Sequence, residues 1–247
     1  MNFNSRTSMF STATLSKPGA RDHNEDYIGF LDSSDYGCWV VADGLGGHGG
    51  GEIAARLAVE VVLEMASSER EISKSSLERF FLTAQQKVLE AKIGNSELSS
   101  MHTTLVILLR SQESFIWGHV GDSRCYIFHS GKLAIQTRDH SVSQALVTAG
   151  ELEQAGIRYH EDRNRLLQAL GTKEDVRASI AEEKWNFENR DAFLLCTDGF
   201  WENITESEME MQLRLAKSAE DWIKRMEAIV LSNGAGCSDN YSAIVIV

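Results

Sequence analysis

Apolar residues along this chain follow two rhythms. Short runs rich in β-branched and aromatic residues recur at 27–31, 38–42, 103–109, 114–119, 125–128, 192–196 and 242–247, and each has the length and composition of a strand. Longer stretches with apolar residues three or four apart predict helices over 51–65 and 76–92, the second opened by Ser75-x-x-Glu78 in the capping-box pattern. Two further helices are predicted late. Thr205-x-x-Glu208 caps a segment reaching about residue 216, and 219–231 puts Trp222, Ile223, Met226, Ile229 and Val230 on one stripe. Strands in groups and helices in pairs predict α+β layers built on antiparallel sheets.

Between 139 and 172 the composition turns polar and charged, in pieces such as HSVSQALVTAGELEQAG and HEDRNRLLQALG. Long excursions of this kind are often functional, so the segment is expected to act as a lid or flap. No Gly/Ser linker divides the chain and Pro18 is its only proline, which predicts one domain across the 247 residues.

Charge narrows the partners. With 36 Asp and Glu against 24 Lys and Arg the net charge is −12, which disfavours nucleic acid or an anionic membrane as a partner and suits cation binding. The longest uninterrupted apolar run is far too short to span a bilayer, and the N-terminal residues lack an apolar core of signal-peptide length. A cytoplasmic location and a monomer are expected. Cys38, Cys125, Cys196 and Cys237 lie far apart with no C-x-x-C pair, so they are expected to be buried thiols rather than zinc or redox ligands.

The carboxylates carry the chemistry through where they fall. Glu25 and Asp26 precede one strand; Asp43 follows CWVVA and Asp198 follows FLLCT, each with glycine next; Asp122 sits in a turn between strands; Asp239 and Asn240 open the last strand. One Asp-Gly pair is an ordinary turn. Two of them after apolar strands, joined by Gly-Asp-Ser-Arg and Asp-Asn, ask for more. If these ends converge, the acids form a cleft that is unfavourable without cations. All-oxygen donors suit Mg²⁺ or Mn²⁺ better than zinc, and a pair of such ions can clamp an in-line phosphoryl displacement. Gly44, Gly46 and Gly49 also spell G-x-G-x-x-G, but a dinucleotide fold needs a second parallel strand next, and another helix is predicted there. Arg21, four residues before Glu25, is the candidate partner for phosphate.

The motifs RDHNED, VADGLGGHGGGE, GDSR, TRDHS, RNRLLQALG, CTDGFWENI and SDNYSAIVIV occur in this order. Together they resemble the compact bacterial members of the PPM (protein phosphatase 2C) family, over about 15–247. The resemblance implies a four-layer α-β-β-α sandwich and a centre of two Mg²⁺ or Mn²⁺ ions, with a third possible. It implies Asp43 as bridging ligand, with the Gly44 carbonyl and Glu25 on one ion, Asp198 and Asp239 on the other, and Asp122 with Asp198 at the third. Asp26, Arg124 and Asn240 would support these ligands from outside, Arg124 through an ion pair near Asp122. Arg21 would be the phosphate-binding arginine and 139–172 the flap.

Two positions depart from the pattern. Animal members have a histidine general acid where this chain has Leu45, bacterial relatives lack it too, and His48 is read as a helix-start or packing residue. Relatives usually have glycine in place of His102. The implied activity is hydrolysis of phosphoserine and phosphothreonine in proteins, catalytic residues Arg21, Asp43 and Asp198, without a phosphoenzyme. No cysteine lies in a C-x5-R loop. The alternative is a catalytically silent module of the same fold that binds phosphoproteins. The implied partners are phosphorylated proteins, in particular those of a Hanks-type kinase, with control of type VI secretion as one setting.

Overall fold

The computed structural model describes residues 10–46, 50–173, 175–187, 191–234 and 239–247; His48 and Cys237 lie outside the described residues. Five strands form one antiparallel sheet in the order β1 (Thr12–Lys17), β12 (Tyr241–Ile246), β11 (Ala192–Cys196), β7 (Arg124–His129), β8 (Lys132–Gln136). The second sheet runs β10 (Trp185–Asn186), β6 (Ser114–Val120), β5 (Leu105–Arg110), β3 (Gly37–Leu45), β2 (Asp26–Asp32), with β4 (His102–Thr103) paired to β3 and β9 (Ser179–Ile180) to β6. Helices α1 (Gly50–Glu69) and α2 (Lys74–Lys92) cover the second sheet, and α4 (Asp198–Trp201), α5 (Glu206–Leu215) and α6 (Ala219–Asn233) cover the first. Helix α3 (Val142–Ala149) lies in the polar excursion. This is the expected four-layer α-β-β-α arrangement.

Strand alternation sorts the apolar residues into three layers. In β3, Cys38, Val40 and Ala42 face α1 and α2, whereas Trp39 and Val41 face the other sheet. In β11, Ala192, Leu194 and Cys196 face α4 and α6, and Phe193 and Leu195 turn inward against Ile244 and Ile246 of β12. Each fully buried Val, Leu, Ile or Phe contributes about 1.5–3 kcal/mol relative to exposure, so a sheet buried on both faces reads as continuous apolar sequence. Continuing the same parity places Asp43, two residues beyond Val41, and Thr197, two beyond Leu195, in the gap between the sheets.

The helices follow their caps, with one correction. α5 is opened by Thr205 and Glu208 as expected, but the capping box of α2 is formed by Ser73 and Ser76, with Ser75 and Glu78 already inside the helix. The predicted strand 103–109 is broken at Thr104, which leaves β4 and β5 separate. The edge strands β1 and β8, which were not predicted, are short and mostly half-buried or exposed. They form because β12 and β7 offer them unpaired backbone. Cys38, Cys125 and Cys196 are buried thiols. No described helix is long and apolar enough to cross a membrane.

Candidate active site

Asp43 lies within β3 rather than at its end, because the strand runs on to Leu45 by pairing Gly44 with Thr103 and Leu45 with His102 of β4. Its backbone is held on both sides by Thr104, whose amide donates to the Asp43 carbonyl (2.9 Å) and whose hydroxyl accepts from the Asp43 amide (2.9 Å). Thr104 in turn contacts the Ser123 hydroxyl at 2.7 Å. β2 lies antiparallel beside β3, so Asp26 is the direct ladder partner of Asp43.

From the other sheet, the Thr197 hydroxyl donates to Asp26 Oδ2 at 2.9 Å and accepts from the Ser242 amide at 2.9 Å. Asp198 follows at the start of α4. Neither Asp-Gly pair is a turn. A Cβ on Gly44 would sit 2.1 Å from the Gly51 carbonyl oxygen, and one on Gly199 would sit 2.0 Å from that of Asn240. Both glycines exist to let a second backbone pass beside an aspartate.

Asn240 organises the loop that carries Arg21 and Glu25. Its amide nitrogen donates to the carbonyls of Pro18 and His23 (2.9 Å each), and its oxygen accepts from the Glu25 amide at 2.8 Å. Arg21 reaches Asp239 at 3.0 Å with a side chain still 59% exposed. Asp122 is held through its carbonyl, which accepts from the Trp201 indole at 2.9 Å. Arg124 stacks on that indole 3.4 Å from the ring centroid. Its ion pair is bidentate to Asp139 (2.7 and 2.8 Å) and not to Asp122. The ion pair expected near Asp122 is thus made with Asp139, which is reached because β7 and the 137–140 segment run side by side.

These residues surround one cavity of about 310 Å³, lined by Arg21, Glu25, Asp43, Gly44, Leu45, Gly46, Asp122, Asn164, Leu166, Asp198, Asp239 and Asn240. Asp26 and Arg124 lie behind its wall. Asn164, Leu166 and Gly46 line it without having been expected. Thr104 and Thr197 were also missed, although each directly adjoins or closes a strand whose parity aims it at the gap.

The acids strain against one another. Burial, then repulsion from Asp198, Asp26 and Asp122, holds the Asp43 carboxyl well above the usual range, and its hydrogen bond with Asp198 acts in the same direction. Burial followed by Asp198 does the same to Asp122. Asp26 is pushed up to about 8 by burial, against the pull of its hydroxyl partners, and its Oδ1 is buried with no hydrogen-bond partner. Among the described residues no three His, Cys, Asp or Glu side chains already close on one point. A hard cation that binds through few carboxylates and keeps its waters does not require them to.

A family profile described as Protein phosphatase 2C matches residues 18–235. The chain belongs to the protein phosphatase 2C family. Among its relatives is the serine/threonine phosphatase stp of Listeria monocytogenes, 29% identical over 232 residues that span 92% of this chain and 90% of that one. The crystal structure of Staphylococcus aureus serine/threonine phosphatase Stp1 superposes with a TM-score of 0.87 at 25% identity, covering 97% of this chain and 95% of that chain. The catalytic domain of the serine/threonine phosphatase PstP, solved with two manganese ions, has the same fold, with a TM-score of 0.80 at 23% identity, covering 96% and 97%. As a member of the protein phosphatase 2C family, the chain carries its acidic cavity where the two sheets open between β3, β11 and β12.

Proposed function

We propose that this phosphatase hydrolyses phosphoserine and phosphothreonine in proteins at the acidic cavity, with Mg²⁺ or Mn²⁺ as cofactor. One observation carries the reading: five carboxylates line a single cavity with one arginine among them. Their mutual repulsion adds to burial in raising Asp43 and Asp122. The donor set fits hard cations, since among the described residues no His or Cys lines the cavity. Asp43, the Gly44 carbonyl and Glu25 would hold one ion, Asp198 and Asp239 another, and Asp122 with Asp198 a third. When bound, such ions lower the pKa of water and offset the charge of a phosphoryl group.

The chain's own residues do the positioning. Arg21 is exposed enough to swing from Asp239 to a phosphate, which it matches in bidentate geometry. Thr104 fixes the Asp43 backbone, Thr197 orients Asp26, and Asn240 sets the loop bearing Arg21 and Glu25. Asn164 and Leu166 bring the 139–172 segment to the cavity rim, which supports its role as a flap over a protein substrate. Leu45 offers no proton, so no side chain at that position serves as general acid. The substrates are proposed to be phosphoproteins made by a Hanks-type kinase, and the chain to act as one domain, as a monomer.

The test is Mn²⁺-dependent hydrolysis of p-nitrophenyl phosphate and of a phosphothreonine peptide, with Asp198→Ala as control. Turnover that persists unchanged in EDTA, or in the variant, overturns the reading. For Arg21, Arg21→Ala is expected to raise KM for the peptide with metal affinity retained.

A further inference from the structure

A second cavity, of about 380 Å³, is walled by β4, the strand whose partner β3 borders the acidic one. Lys92, Lys173, His102 and Ser99 line it, with Leu89 and Ile93 at its apolar edge and no carboxylate among the described lining residues. In a chain with 36 acidic residues against 24 basic ones, a pocket of opposite sign is not the background. Lys92 ends α2, where a cation suits the helix dipole. It donates to the Gly171 carbonyl and stands 3.5 Å from His102 Nε2.

Lys173 has no such structural use: among the described residues it makes no hydrogen bond or ion pair. Burial and then Lys173 hold the Lys92 ammonium below its ordinary range, and burial and then Lys92 do the same to His102. Lys92 and Lys173 are like-charged neighbours with no carboxylate beside them among the described lining residues, and an anion between them would relieve the repulsion.

The two cavities share a wall. Leu45 lines the acidic cavity and is the ladder partner of His102, and such partners lie about 5 Å apart. A Cβ on Gly46 would come within 2.9 Å of the Ser100 carbonyl oxygen. On the other side, Leu166 lines the acidic cavity and Gly171 the basic one, five residues that span at most about 18 Å. An extended peptide covers the same range in roughly two to five residues.

We propose that the basic pocket binds a second phosphoryl dianion on the same substrate peptide, two to five residues from the phosphoserine or phosphothreonine being hydrolysed. The inference rests on the phosphatase reading and assigns it a substrate class, multiply phosphorylated segments. His102, which lines the pocket, becomes part of the selectivity.

The experiment compares kcat/KM for singly phosphorylated peptides with that for peptides carrying, in addition, a non-hydrolysable phosphonate two to five residues to either side. At low salt the wild-type enzyme should favour the best of the second set about tenfold, the size of one charge-assisted contact. That ratio should fall toward one in Lys92→Met, fall further in Lys173→Glu, and shrink with added salt. A wild-type ratio of one for every spacing, or a ratio that both variants leave unchanged, overturns the proposal. So does a ratio of one accompanied by ¹⁵N shifts at Gly171 on adding inorganic phosphate, which would assign the pocket to free phosphate. Turnover of p-nitrophenyl phosphate by the wild type, run alongside, distinguishes failure of the second phosphate site from failure of the activity itself.

Discussion

Two clusters of buried charge lie back to back in this molecule and are built on opposite rules. In the acidic cavity Asp43, Asp122 and Asp198 crowd together, with Asp26 behind them, and all are forced toward protonation. Behind Asp122, Arg124 is clasped by Asp139 and stacked on Trp201, while Arg158 reaches the Trp201 and Ile204 carbonyls and Glu206. The second cluster is satisfied within the chain and the first is not. Unrelieved charge marks where the chain awaits something external, and paired charge marks what holds the site in place.

Breaking each cluster should therefore give opposite results. Asp43→Asn should remove activity by roughly three orders of magnitude, since Lewis-acid stabilisation is worth several kcal/mol. The same change should raise the melting temperature of EDTA-treated protein by removing repulsion. Asp139→Ala should do the reverse to stability: it strands the Arg124 guanidinium, and breaking a buried pair costs about 3–5 kcal/mol, readable as a lowered urea midpoint. If both variants lose stability in EDTA, the contrast is wrong.

Acid titration sharpens it further. His119 and His140 stack at 4.7 Å, and burial pushes both down to about 4. His140 Nδ1 accepts the Gly121 amide, and His119 Nδ1 is buried without a partner, so a proton on either nitrogen is unfavourable. With folded values below the unfolded ~6.5, their stabilisation is full above that pH and is lost as pH falls toward 4, at up to about 1.4 kcal/mol per unit for each. Asp26 has the opposite sign: raised to about 8, it makes the metal-free fold lose stability as pH climbs from ~4 to 8. Because Asp43, Asp122 and Asp198 are raised as well and add to the acids' slope, the readout is a difference: the gap in urea midpoint between wild type and His119→Asn in EDTA should be largest above pH ~6.5 and shrink as pH falls toward 4. The smallest effect belongs to Thr205→Ala, which removes the α5 cap for about 1 kcal/mol and should leave turnover by the folded enzyme unaltered.

Much of this was legible in the chain. The strand runs, the pairing of helices and the position of each acid after an apolar run all follow from periodicity, because burial selects side chains at intervals of two or about 3.6. Arg21 and the acids at 25, 43, 122, 198 and 239 do line one cavity. The edge strands β1 and β8 were hidden, since an edge strand buries little and needs no apolar signature. Ser73 and Ser75 both fit the cap of α2 by local sequence, and only the path of the chain chooses Ser73.

What the sequence by itself determined was a set of local preferences: which residues would be strands or helices, and which acids would stand beside them. Tertiary structure alone decided that Asp139 is the partner of Arg124, that Gly44 and Gly199 serve close backbone passage rather than turns, and that Thr104 and Thr197 fasten the two sheets' acids. Those outcomes depend on atoms 15 to more than 200 residues apart meeting within a few ångströms, and no local pattern carries the distance between segments that only packing brings together.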